Sequence, residues 1–167
     1  LYAFLLMVFF EWGVAMHDLE VENIVAGKRK WYDVKGLVKG MWRKAGKQVL
    51  KDYVVYPALT GPLFPLTLAG NVTANLVRNL WTFSIIFCGH FPSGVQTFTP
   101  EECENETKGQ WYLRQMLGSA NITGSPLFHI MSGNLSHQIE HHLFPDIPAN
   151  RYPAMAPEVQ AICEKYG

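Results

Sequence analysis

The sequence lacks the motifs that mark most of the common soluble enzyme classes. It contains no His-Glu-x-x-His, no Gly-x-Ser-x-Gly, no P-loop and no Gly-x-Gly-x-x-Gly. Zinc protease, serine hydrolase, nucleotidase and dinucleotide-binding functions therefore have no support. The three cysteines are widely spaced and include no Cys-x-x-Cys pair, which argues against a disulfide framework or a zinc knuckle. Lys+Arg and Asp+Glu are equal at 14 each, so net charge gives no reason to expect a nucleic-acid partner.

Charge is also missing from a long central segment. Residues 53–77 contain no charged side chain, and Arg78 is the only permanent charge in residues 53–100. A membrane-spanning helix needs about 20 apolar residues. We therefore predict a transmembrane helical hairpin over residues 53–91, with its turn at Ala69-Gly70-Asn71 and with Arg78 reaching back to the interface. A buried hairpin in a soluble protein is the alternative.

Two segments before the hairpin predict contact with the membrane surface. Residues 1–17 form a short apolar run, which indicates an interfacial helix or a partial span. Residues 28–51 hold nine of the 14 basic residues. Because Lys/Arg-rich loops stay in the cytosol, we expect this segment, and residues 92–167 after two crossings, to face the cytosol. Five residues of the basic segment 28–51 are candidates for binding lipid headgroups or an anionic substrate: Lys28, Arg29, Lys30, Arg43 and Lys44.

Half of the six histidines lie in one hexapeptide, His137-Gln138-Ile139-Glu140-His141-His142. In a helix, His137 and His141 share one face, and Gln138, His141 and His142 share an overlapping one. Neutral imidazoles in this arrangement suit iron, zinc, copper or nickel. Glu140 is a candidate ligand or a residue that orients a ligand.

Two residues outside the hexapeptide join it as candidates. His90 ends the second predicted span, and an ionisable residue at membrane depth indicates function. It emerges on the same side as the hexapeptide, so we expect it to be a ligand. Asn134 is a candidate for orienting one of the ligands.

The run His137–Pro145, HQIEHHLFP, resembles the third histidine box of the integral-membrane fatty acid desaturases, (His/Gln)-x-x-His-His. The upstream Cys-Gly-His-Phe-Pro is similar to the same family. The resemblance implies an all-α membrane protein with a transmembrane hairpin, interfacial helices and a cytosolic helical cap that carries two irons. The family's first two boxes are missing, so residues 1–167 resemble the C-terminal part of one desaturase domain, incomplete as an enzyme by itself.

The resemblance also assigns roles to residues. His141 and His142 match the paired histidines, which are metal ligands and the candidate catalytic residues. Gln138 matches the first position of the box, and His90 matches an extra histidine that follows the last span. His137 has no clear counterpart and is kept as a candidate metal ligand.

The implied activity is that of an acyl-CoA desaturase in a bacterial inner membrane, with its active site facing the cytosol. It would introduce a cis double bond, at position 9, into a C16–C18 acyl chain, using O2 and the diiron centre. Electrons would come from a separate NAD(P)H-dependent reductase or ferredoxin, because the sequence has no haem, flavin or iron–sulfur motif. The alternatives are a related diiron lipid or alkane hydroxylase, a 6-desaturase, and a non-enzymatic membrane metal-binding protein.

Overall fold

The computed structural model describes residues 2–17 and 19–166, so Leu1, Asp18 and Gly167 lie outside the described residues. Every regular element in the described part of the chain is helical, which confirms the all-α class. The α-helices are α1 (Tyr2–Val8), α2 (Phe10–His17), α3 (Val21–Val25), α4 (Trp31–Leu50), α5 (Tyr56–Leu59), α6 (Phe64–His90), α7 (Pro100–Cys103), α8 (Lys108–Leu117), α9 (Pro126–Met131), α10 (Gln138–Leu143) and α11 (Tyr152–Tyr166). A π-helical stretch (Lys51–Val55) and two short 3-10 helices (Gly61–Leu63 and Ala149–Arg151) complete them.

The chain forms two compact units, an N-terminal unit of residues 1–81 and a C-terminal unit of residues 82–167. In the N-terminal unit, α4 carries the basic segment on one side and apolar residues on the other. Val34 of its apolar side is fully buried. The helix passes through Lys51–Val55 into α5 and ends at Thr60, where Gly61 turns the chain with φ +55°. Glycine adopts this left-handed conformation without strain.

The predicted turn at Ala69-Gly70-Asn71 is wrong, because these residues lie inside the unbroken helix α6. The turn comes earlier, at Thr60-Gly61, and Pro62 falls in the first turn of the following 3-10 helix, where no backbone donor is needed. Asn71 uses its side-chain amide to donate to the backbone carbonyl of Asp52. Within the described residues, we find no helix that combines the length and the apolarity required to cross a membrane. The hairpin over residues 53–91 stays a prediction.

A partly buried polar network joins the first helices to α6. Arg78 forms an ion pair with Glu11, and its position at a membrane interface stays a prediction. Glu11 also accepts hydrogen bonds from the Gln48 amide at 3.1 and 3.2 Å. Asn79, which is 5% exposed, donates to the carbonyl of Val8 at 2.8 Å. A charge on an apolar helix is less costly when it is paired, and the pairing partner here lies far away in the sequence.

The C-terminal unit places short helices around the histidine hexapeptide. Helices α7 and α8 both begin with capping boxes, in which Thr99 pairs with Glu102 and Thr107 pairs with Gln110. These reciprocal bonds satisfy the free amides of each helix start. Helix α10 packs against α8 and α11. The loop that follows α8 is fixed to the end of α6 by a hydrogen bond from the Ala120 amide to the Gly89 carbonyl, 2.8 Å.

Candidate metal centre

The hexapeptide is helical from its second residue onward. Helix α10 begins at Gln138, so Gln138, His141 and His142 lie on it as predicted. His137 precedes the helix with φ −96° and ψ 66°, so the expectation that it shares a helix face with His141 is wrong. The helix start is set by Asn121, whose side-chain oxygen accepts from the amide of Ile139 at 3.0 Å.

His90 and His142 meet through their ring nitrogens. The two Nε2 atoms are 2.9 Å apart, and the ring centroids are separated by 5.0 Å. Nδ1 of His90 lies 2.8 Å from the carbonyl of Ile86, and Nδ1 of His142 lies 3.3 Å from Oε1 of Gln115. Carbonyl and amide oxygens only accept, so each Nδ1 carries a proton. In a neutral ring, Nε2 is then the atom that offers a lone pair.

The environment of His142 favours the neutral ring. Burial lowers the pKa of His142 to about 4, and the neighbouring His90 and His141 lower it in the same direction. Two facing nitrogens at this distance are satisfied by one cation, either a proton between them or a metal ion bonded to both. Two nitrogens bonded at roughly 2.1 Å to one ion, at right angles, lie about 3.0 Å apart. The 2.9 Å separation therefore fits a pair of ligands to one ion.

His141 is held by a residue that sequence reasoning missed. Its Nδ1 lies 3.3 Å from the hydroxyl of Tyr152, which is 2% exposed. The Tyr152 hydroxyl donates to the carbonyl of Phe144, also at 3.3 Å, so its oxygen accepts from His141. Burial raises the pKa of Tyr152 and keeps this hydroxyl protonated. Neither Tyr152 nor Gln115 belongs to a motif, so no signal in the sequence identifies them.

The box glutamate is buried and is bound to a residue of the loop that follows α8. Glu140 is 1% exposed and accepts from the side-chain amide of Asn121 at 2.8 Å. Its carboxylate lies 3.9 Å from Nδ1 of His137, beyond hydrogen-bond length. Asn134 acts through its backbone: it adopts φ 59°, and its carbonyl accepts from the His137 amide at 3.0 Å. Asparagine tolerates this left-handed conformation better than most residues.

Two further candidates carry buried polar atoms that have no hydrogen-bond partner among the described residues. These atoms are Nδ1 and Nε2 of His137 and Oε1 of Gln138. His137 stacks on His129 at a centroid distance of 4.7 Å, and burial, followed by the His129 charge, lowers its pKa. Gln138 packs against the end of α6 at Gly89. Because unpaired buried acceptors are costly, both side chains are suited to take up a ligand.

The basic candidates lie in the N-terminal unit. Lys28, Arg29 and Lys30 form the turn before α4, and Arg29 pairs with Glu20 at 3.3 Å. Arg43 and Lys44 are exposed in the middle of α4. Within the part of the chain that the structure describes, no three side chains of His, Cys, Asp or Glu converge closely enough to hold an ion.

These features define the class of site. The imidazoles of His90, His141 and His142 each direct Nδ1 to an oxygen atom. The Nε2 atoms of His90 and His142 meet. The Gln138 side-chain oxygen, which has no hydrogen-bond partner among the described residues, lies on α10 with the paired histidines. Nitrogen-rich donor sets of this kind suit first-row transition metals such as iron, and hydrogen bonds to the second ring nitrogen are typical of ligating histidines. The residues present fit part of a histidine-ligated metal site.

The comparison with known proteins gives the family. The model of the fatty acid desaturase family matches residues 1–167, so the chain belongs to that family, as its histidine box predicted. It is 49% identical to the NADPH-dependent stearoyl-CoA 9-desaturase of Mycobacterium tuberculosis, over 97% of this chain and 39% of that protein. It is 40% identical to fatty acid desaturase 3 of Bos taurus, over 90% of this chain and 30% of the relative. No solved structure matches.

The chain thus spans about two fifths of the length of the mycobacterial relative. A more distant match, 29% identical, is the acyl-lipid (7-3)-desaturase of Rebecca salina, over 93% of this chain and 38% of the relative. All three relatives are named as desaturases.

Proposed function

We propose that the complete protein carrying this chain is a membrane-bound acyl-CoA desaturase. It introduces a cis double bond at position 9 of a C16–C18 acyl chain. The observation that supports this most is the His90–His142 pair, whose facing Nε2 atoms are 2.9 Å apart, in a chain 49% identical to a stearoyl-CoA 9-desaturase. The histidine pair would suit a hydroxylase equally well, so the choice of a 9-desaturase rests on the 49% identity; a linoleoyl-lipid 6-desaturase of Synechocystis is 26% identical over 66% of this chain.

The metal ligands in this proposal are His90, His141, His142 and Gln138, with His137 as a further candidate. Two irons, when bound, supply the activation of O2 that breaking an unactivated methylene C–H bond requires. The chain's own residues hold the Nδ1 protons of the imidazoles on oxygen acceptors and leave Nε2 free to bind. Burial of the box helix, in which Gln138 and Glu140 are each 1% exposed, keeps water from this side of the site.

The proposal includes a membrane location, with the site on the cytosolic side of a bacterial inner membrane and residues 53–91 crossing it as a hairpin. Helix α4 then lies at the headgroup level. Trp31 and Trp42 are 61% and 68% exposed, and exposed lysines and arginines lie on the same helix. Tryptophan and basic residues are the side chains that prefer the membrane interface, and the basic ones attract anionic lipids or the phosphates of an acyl-CoA.

A test of orientation follows from the basic segment. A cysteine replacing Lys39 of α4, in a protein whose own cysteines are replaced, is expected to react with a membrane-impermeant maleimide only from the cytosolic side. Labelling from the outside would overturn the topology. Electrons reach the site in this proposal from a separate NAD(P)H-dependent reductase or ferredoxin.

The activity is tested on the detergent-purified complete protein by elemental analysis and by product analysis. We expect about two irons per chain, and oleoyl product from stearoyl-CoA when NADPH, O2 and a reductase are supplied. Stoichiometric zinc or haem in place of iron would refute the desaturase function. A hydroxylated product would assign the related hydroxylase activity instead. His90→Ala and His142→Ala are expected to lower both the iron content and the product.

A further inference from the structure

The three clustered imidazoles share one feature, which is an oxygen acceptor at Nδ1. For His90 the acceptor is the Ile86 carbonyl, one turn earlier on its own helix, at 2.8 Å. The other two acceptors come from helices that supply no candidate ligand. Gln115 of α8 faces His142, and Tyr152 at the start of α11 faces His141, each at 3.3 Å.

Each of these two acceptors is itself held in place. Gln115 lies on α8, which packs against the box helix α10, and its backbone carbonyl accepts from the Ser119 hydroxyl at 2.9 Å. Tyr152 is 2% exposed, and its hydroxyl proton is directed to the Phe144 carbonyl, which ends the box helix. The lone pair of the hydroxyl is therefore left for the Nδ1 proton of His141.

An imidazole can carry its proton on either nitrogen, and only the other nitrogen binds a metal. A fixed acceptor at Nδ1 selects the form in which Nε2 is the ligand, and it also fixes the rotation of the ring. We infer that Gln115 and Tyr152 are positioning residues, which hold His142 and His141 with Nε2 directed at the metal. This inference rests on the proposed function, because it assumes that the two histidines bind iron.

The test measures iron retention against a competing chelator in the complete, iron-loaded protein. Gln115→Leu and Tyr152→Phe remove the acceptors but keep similar side-chain volumes. We expect each to weaken iron binding by about 10- to 100-fold, the effect typical of losing such a hydrogen bond. Gln115→Glu, which keeps an acceptor oxygen, is expected to retain iron as the wild type does. Gln160→Leu and Tyr166→Phe are matched controls on exposed positions of α11.

Two further measurements separate positioning from packing. The thermal unfolding of the iron-free protein is expected to be the same for the wild type and the Gln115 variants, whereas Tyr152→Phe also loses its bond to the Phe144 carbonyl and is expected to unfold at a slightly lower temperature. The Mössbauer spectrum of the iron still bound in Tyr152→Phe is expected to differ from that of the wild type, because one ligand has changed its orientation. Equal loss of iron in Gln115→Leu and Gln115→Glu, or an unaltered spectrum in Tyr152→Phe, would show that the residues act only by packing.

The failure of this inference can be told apart from that of the proposed function. If His142→Ala loses iron while Gln115→Leu and Tyr152→Phe retain it as the wild type does, the positioning role is refuted and the metal site stands. If the wild-type protein itself holds no iron, both the proposed function and the positioning role are refuted.

Discussion

Gly89→Ala tests how closely α6 and the histidine box are packed. A Cβ atom at Gly89 would overlap Cγ of Gln138 and would lie 3.0 Å from its Cδ. Gln138 is 1% exposed and the overlapped atom is the inner Cγ, so relieving the clash requires a shift within a buried region. We expect the C-terminal unit to lose about 1–3 kcal/mol of unfolding free energy relative to a neutral Gly→Ala change, the usual cost of overpacking a core. Because Gln138 shares α10 with the paired histidines, the iron content is also expected to fall.

Gly70→Ala is the matched control, since Gly70 lies in the same helix and a Cβ there meets nothing within 4 Å. Both substitutions gain the same helix propensity, about 0.5–1 kcal/mol, so their difference isolates the clash with Gln138. Thermal unfolding and elemental analysis of the purified complete proteins give the two readouts. In Gly89→Ala/Gln138→Ala the clash is gone, and the penalty of the glycine substitution is expected to vanish. Equal unfolding temperatures for Gly89→Ala and Gly70→Ala would refute this account.

Three other predictions concern the C-terminal unit. His141→Ala is expected to abolish desaturation in the complete protein, whereas Gln160→Ala, at an exposed position, leaves it unchanged in a product assay; full activity in His141→Ala would refute its role as a ligand. Asn121→Ala removes the partner of the buried box glutamate and of one helix amide, so unfolding experiments are expected to show a loss of about 1–3 kcal/mol. The hydrogen-bonded Arg114 guanidinium lowers the pKa of the Glu106 carboxyl. The stabilisation from this ion pair is present above the pKa that Glu106 has in the unfolded chain. It is lost as pH falls through the lower pKa of Glu106 in the folded protein. The difference in melting temperature between the wild type and Glu106→Gln is therefore expected to disappear in acid, and a constant difference would contradict the ion pair.

The histidine box shows which features of the site are local. The spacing of Gln138, His141 and His142 predicted a shared helix face, and all three residues lie on helix α10. The position of His137 was mispredicted because the helix start depends on Asn121, a residue far back in the sequence. A helix start that depends on a distant side chain cannot be predicted from the hexapeptide alone.

The same reasoning applies to the apolar half of the chain. Ala69-Gly70-Asn71 has the composition of a turn, yet helical backbone bonds continue through it and the Asn71 side chain is satisfied by the Asp52 carbonyl. The pairing of Arg78 with Glu11 is likewise a contact between residues that lie far apart in the sequence. Single-sequence patterns carry no information about such tertiary contacts.

The orientation of the box is fixed by protein groups alone. The acceptors of the three Nδ1 protons are a carbonyl of α6, an amide of α8 and a hydroxyl of α11, so three separate helices converge on the direction of three rings. A ring that is already oriented loses little conformational freedom when it binds an ion, whereas a free histidine must lose its rotamer freedom at that step. Oε1 of Gln138 and both ring nitrogens of His137 lie in the same unit and have no hydrogen-bond partner among the described residues. The structure thus separates the candidate ligands into two groups: imidazoles oriented in advance, and side chains whose polar atoms become satisfied only when a ligand is bound.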